Sequence, residues 1–175
     1  MTGVFQYGQT ERYLGVGAEG MGFMMQMVQF QEERLWAAAK SIQSLLRCVE
    51  TTADYARERQ IFGGSVLDQQ VVHFKLAELK TEIEALRGLT YMATDHYVAG
   101  RDVTEWASMA KLKAGRLSRT VPDECMQFWG GMGYTWDNPV SRMYRDGRLA
   151  SIGGGADEVM LGIICKFMHT LPARR

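Results

Sequence analysis

Three stretches of this 175-residue chain carry groups that do chemistry. The first is "QFQEERLW", residues 29–36, where Glu32 and Glu33 precede Arg34. A carboxylate set against an apolar surface can act as a general base, because burial raises its pKa toward the working pH. Adjacent residues on a helix point about 100° apart, so at most one or two of these three face any given neighbour. An ordinary solvated helix face is the alternative. The second stretch is "ARERQIFGGSVLDQQ", residues 56–70. Arg57 and Arg59 fall at a helix end, where cations suit the negative pole of the dipole. Arg59 with Phe62 and Gly63 also fits a phosphate resting beside an aromatic wall. The third is "SIGGGADEVM", residues 151–160. Glycine costs about 0.5–1 kcal/mol relative to alanine inside regular structure, so three together mark a place where side chains are unwanted. Bare amides before a helix can bind an anion, and a plain connecting turn is the other reading.

Several chemistries are disfavoured. "GGMG" and "GGG" lack the preceding strand that dinucleotide and P-loop fingerprints require, and no GKS/T element follows. Cys48, Cys125 and Cys165 are an odd number without close pairs and sit among apolar neighbours, as buried free thiols do. His73, His96 and His169 have no metal-ligand spacing, so no metal is expected. Twenty basic and twenty acidic residues cancel, which argues against a general nucleic-acid or membrane-surface binder. No uncharged apolar run reaches the roughly 18 residues of a membrane span. The opening "MTGVFQYGQTERYLG" has the form of neither a signal peptide nor an Arg-rich transit peptide.

The elements that position these groups read as helices. Hydrophobic residues make up 46% of the chain, enough for one domain with a core. Leu35, Ala38, Ile42, Leu45, Val49 and Ala56 recur at three and four, predicting a helix from about Met21 to Arg59 that the glycines of "IFGGS" stop. Val72, Leu76, Leu79, Ile83, Leu86, Thr90, Ala93 and Tyr97 form a second stripe, ended by "AGRD". Trp106, Met109, Ala110, Leu117, Val121, Cys125 and Phe128 form a third. Pro122 falls inside it and is expected to kink or restart the helix. A short helix is expected from Val140 and a last one over residues 156–169. Strand-like alternation is confined to "GVFQY". The pattern predicts an all-α antiparallel four-helix bundle over residues 21–175, with residues 1–20 a tail from something else.

The ordered motifs "ARERQIFG", "VHFKLAELKTEIEALR" and "MQFWGGMGYTWDNPVSRMYRDGRLASIGGGADEVM" resemble the C-terminal helical domain of the acyl-CoA dehydrogenases. The likeness runs from about Leu14 to Met168. It implies a three-domain parent, with this chain covering the bundle and the linker "ERYLGVGAEGMGF" that closes the preceding β-domain. The implied chemistry is α,β-dehydrogenation of an acyl-CoA thioester with FAD, a glutamate taking the α-proton. Many members carry that glutamate in the glycine turn, where this chain has Gly154. A minority of long-chain and isovaleryl type carry it on the first long helix just before an Arg. "QEERL" matches that arrangement and makes Glu33 the implied base, with Glu32 solvated.

Other roles follow by position. Arg34 resembles the arginine at the CoA moiety. Gly153, Gly154 and Gly155 resemble the substrate-facing turn, with volume for a long or branched acyl chain and an amide for the thioester oxygen. Arg59, Phe62 and Gln70 resemble contacts to the FAD of a neighbouring subunit. Gln127, Gly130 and Gly131 resemble a second cofactor contact, and Glu158 a third. Ala156 stands where the family commonly has Thr. Arg142, Arg145 and Asp146 read as a structural ion-pair network. The likeness further implies a homotetramer or homodimer and an electron-transfer flavoprotein as electron acceptor. It implies an intracellular setting, cytoplasmic if bacterial and mitochondrial if eukaryotic. The missing domains imply that the chain alone does not turn over. Two alternatives stay open: a truncated, non-catalytic helical oligomerisation module, and an acyl-CoA oxidase relative.

Overall fold

The computed structural model describes residues 4–6, 13–15 and 20–172, with side chains from residue 20 onward. Most of the tail assigned to residues 1–20 lies outside the described residues. Within it, β1 (Val4–Gln6) pairs antiparallel with β2 (Tyr13–Gly15), the strand character read in "GVFQY".

The rest is the expected all-α bundle. Helix α1 spans Gly22–Glu58, about 55 Å at 1.5 Å per residue. Its three-and-four spaced residues Leu35, Ala38, Ile42, Leu45, Val49 and Ala56 are all buried. The glycines of "IFGGS" do not stop it. Arg59 already leaves helical geometry at ψ 116°, and the chain enters a small hairpin of β3 (Gln60–Ile61) and β4 (Gly64–Ser65). Phe62 (φ 49°) and Gly63 (φ 84°) form its two-residue turn, the positive-φ geometry that matches strand twist. A 3-10 turn at Val66–Asp68 follows, fixed by a capping box in which Ser65 and Asp68 exchange bonds of 3.2 and 2.7 Å.

Helix α2 (Gln70–Val98) buries Val72, Leu76, Leu79, Ile83, Leu86, Thr90 and Ala93, and ends at Gly100 with φ 74°. Helix α3 (Thr104–Trp129) is the hub. It packs against α1 and α2 as well as against α4 (Pro139–Gly147) and α5 (Asp157–Phe167). The largest core cluster joins α1, α2 and α3. Cys48 and Cys125 meet inside it, and the Cys48 thiol is pushed up by its hydrogen bond with Cys125 and then by burial. Asn138 caps α4 through bonds to the Val140 and Ser141 amides, with Pro139 at the first helical position.

Pro122 does not interrupt α3. It leaves the Ser118 carbonyl without its helical donor and crowds it. That carbonyl is where α4 comes closest: a Cβ on Gly147 would lie 2.7 Å from the Ser118 oxygen. The proline defect and the glycine are two halves of one contact. Gly147→Ala is therefore expected to destabilise the chain by about 1–3 kcal/mol, the usual cost of overpacking. Urea unfolding of the two chains checks this.

Candidate functional site

Two regions gather the residues singled out above. The first is the glycine turn ahead of α5. Its three glycines differ in kind. Gly154 (φ 67°) and Gly155 (φ 104°) need glycine for their backbone, and a Cβ on Gly155 would lie 2.7 Å from Met160 Cε. Gly153 has no such need, and a Cβ there would meet only Leu149 at an ordinary 3.6 Å. Nothing in this fold requires position 153 to be bare. The Gly153 amide donates to Leu149 O at 2.8 Å, whereas the Gly154 and Gly155 amides donate to no acceptor among the described residues. Gly153 and Gly154 are exposed.

Beneath the turn α3 presents Lys111, Gly115 and Arg119, spaced by four on one helix face. The Lys111 ammonium donates to the Gly155 carbonyl. Gly115 lets the chain settle close: a Cβ there would lie 2.9 Å from Ala150 O and 3.2 Å from Asp157 Oδ1. Arg119 donates to Asp157 Oδ2 at 2.9 Å. Lys111 is only 2% exposed, and burial pulls its pKa below the ordinary lysine value, with Asp157 opposing and Arg34 reinforcing.

Helix α1 meets this region through Arg34, which is 4% exposed and donates to Ser108 Oγ at 3.4 Å. Burial lowers its pKa and Glu33 opposes that. The neighbouring residues splay in order. Gln31 Oε1 accepts from the Val103 amide at 2.8 Å, and Glu32 Oε2 accepts from the Tyr97 hydroxyl of α2 at 3.3 Å. With 100° between successive residues, Glu33 falls a further 100° past Arg34, on the side of α1 turned away from its buried stripe. It is exposed and has no hydrogen bond among the described residues.

The second region is an open groove of about 850 Å³ beside the hairpin. Arg59, Phe62, Gln127, Gly130 and Gly131 line it, with Tyr55 and Trp129 stacked 3.9 Å apart in its wall. Phe62 is 99% exposed, on a bulky residue held at positive φ. Gln70 does not line the groove; its neighbours Gln69 and Val71 do. Glu158 is exposed on the first turn of α5.

Two expectations change. The Arg142, Arg145 and Asp146 network reduces to one exposed Arg145–Asp146 contact at 3.3 Å, because these residues point outward from a short surface helix. Sequence reading missed Lys111, Gly115 and Arg119 altogether. Their K-x3-G-x3-R spacing was the available signal, hidden inside a stripe read only for its apolar members. Among the described residues no His, Cys, Asp or Glu cluster is placed to hold a metal, and no helix is long and apolar enough to cross a membrane.

The fold and these two regions define an all-α domain that offers bare amides beside Lys111 of α3 and a wide, partly aromatic groove at the C-terminal end of that helix. The family described as acyl-CoA dehydrogenase, C-terminal domain, matches residues 20–169, and the chain belongs to it. The long-chain specific acyl-CoA dehydrogenase of Rattus norvegicus mitochondria is 37% identical over 151 residues, which are 86% of this chain and 35% of that protein. A probable acyl-CoA dehydrogenase of Escherichia coli K12, YdiO, is 37% identical over 83% of this chain and 38% of its own length. The crystal structure of butyryl-CoA dehydrogenase from Megasphaera elsdenii superposes with a TM-score of 0.86 at 32% identity, covering 89% of this chain and 40% of that one. The chain spans about a third of the length of the curated relatives it matches.

Ala156 occupies the N-cap of α5 with no side-chain cap bond. Ala156→Ser restores an acceptor for the first-turn amides and is expected to raise stability by about 0.5–2 kcal/mol, read as an upward shift of the thermal midpoint.

Proposed function

We propose that this chain is the C-terminal helical part of an FAD-dependent acyl-CoA dehydrogenase whose base is Glu33. The observation that carries the reading is the turn at 153–155: it has no carboxylate, its Gly154 amide meets no acceptor among the described residues, and the Lys111 tied to it lies close enough to Arg34 of α1 to feel its charge. In this reading Glu33 approaches the substrate from the α1 flank and takes the α-proton. The Gly154 amide donates to the thioester oxygen and stabilises the charge that develops there. Arg34, assigned by resemblance to the CoA moiety, is buried against Ser108, which favours a place beneath the thioester over one at solvated phosphates. Packing of other domains and an acyl chain over Glu33 would shield the carboxylate from bulk water.

The groove fits FAD in kind. It pairs the Arg59 cation with the projecting Phe62 ring and bare backbone at Gly130 and Gly131, donors and walls suited to a pyrophosphate and a flat ring. When bound, FAD supplies the acceptor for the β-hydride. Arg59, Phe62 and Gln70 are proposed to touch the FAD of a neighbouring subunit, and Glu158 a cofactor beside the turn. That reading needs a homodimer or homotetramer. An electron-transfer flavoprotein is the proposed electron acceptor, and oxygen uptake with substrate would point to an oxidase instead. The proposed setting is the bacterial cytoplasm or the mitochondrion. A second reading, a non-catalytic helical module, draws on the exposed Phe23, Met24 and Val28 at the start of α1. A colourless oligomer that takes up no FAD would favour it.

In the flavin-loaded protein, Glu33→Gln is expected to slow flavin reduction by acyl-CoA about 10²–10⁴-fold, the range of a general base. Near-normal reduction removes Glu33 from the role. Because position 153 is bare by choice, Gly153→Phe is expected to leave the fold intact and shift preference toward short, unbranched acyl chains. Thermal midpoint and kcat/KM across a chain-length series test it.

A further inference from the structure

We propose that Lys111 is a positioning residue for the glycine turn: its ammonium ties down the Gly155 carbonyl and so holds the Gly154 amide where a thioester oxygen can meet it. The proposal rests on the substrate reading of the turn given above. Three observations lead to it. The Gly154–Gly155 backbone sits at positive φ, in the residue type with most freedom to leave it. Neither amide is bonded among the described residues, and Ala156 offers no side-chain cap, so beyond the Gly153–Leu149 bond no local hydrogen bond holds this backbone. The Lys111–Gly155 bond is the one hydrogen bond that reaches the Gly154–Gly155 segment from elsewhere in the fold, among the described residues.

The lysine is also a poor choice for stability alone. An ammonium at 2% exposure gives up its hydration, and Asp157, whose charge favours it, spends one carboxylate oxygen on Arg119. The sign of its pKa shift agrees: the folded state disfavours the charged form. An apolar side chain of the same length would fill this place at lower cost. What it could not do is hold a carbonyl. Lys111, Gly115 and Arg119 act together along one face of α3. Gly115 permits the approach, Arg119 fixes Asp157 at the start of α5, and Lys111 fixes the turn between them.

Lys111→Met keeps length and loses the donor; Lys111→Gln keeps a donor without the charge. Two measurements test the proposal. In the chain itself, Lys111→Met is expected to speed amide hydrogen exchange at Gly153 and Met160, the bonded amides on either side of Gly154–Gly155, about tenfold, the scale of one hydrogen bond, while residues 76–86 keep their protection and the thermal midpoint does not fall. In the flavin-loaded protein it is expected to slow flavin reduction about tenfold or more with little change in substrate KM, and Lys111→Gln is expected to recover part of the rate. Unchanged exchange at the turn overturns the tether. Faster exchange with unchanged flavin reduction overturns the positioning role. A fall in midpoint with loss of protection throughout the core makes Lys111 a structural residue and overturns the proposal as well. If Lys111→Met fails to fold, the Gln variant carries the same comparisons. Should Glu33→Gln retain activity while Lys111→Met loosens the turn and slows reduction, the tether stands and only the identity of the base falls.

Discussion

Close approach to α3 is the constraint on which the rest of the structure depends. Four helices meet it, and they can do so because its buried surface is built from small residues, among them Ala107, Ser108, Ala110, Ala114, Gly115 and Ser118. Small side chains let backbones come near one another and leave little side-chain entropy to lose. Where even these are too large, glycine appears on one side or the other. Gly115 admits the segment at Ala150 and Ser151, and Gly147 reaches the Ser118 carbonyl that Pro122 leaves free. A proline that looks like a helix fault thus serves as part of a docking point, at the loss of one hydrogen bond inside α3.

The same closeness brings charge inward. Arg34 and Lys111 are both nearly removed from water, and the Arg34 charge reinforces the lowered pKa of Lys111 while Asp157 opposes it. Such a grouping is a weak source of stability, since desolvation offsets most of the attraction. The groove beside the hairpin is built differently. It is open, lined by exposed Arg59 and Gln127, and marked by a strained, projecting Phe62.

The sequence by itself determined the class of fold and the family. The three-and-four spacing of Leu35 through Ala56 and of Val72 through Ala93 is a local property of a helix with one dry face, so it could be read without coordinates. So could the stop at "AGRD", which depends on neighbours in the chain. The ordered motifs around the two glycine clusters were legible for the same reason. Only the tertiary structure decided the rest. That Gly153 is optional while Gly154 and Gly155 are obligatory rests on backbone angles and on Met160 approaching from the next helix. That Arg34 lies inside, that Arg142 and Arg145 lie outside, and that Lys111 reaches the turn 44 residues away all follow from which helix packs against which. Periodicity marks which face of a helix is dry; it carries no record of what will be pressed against it.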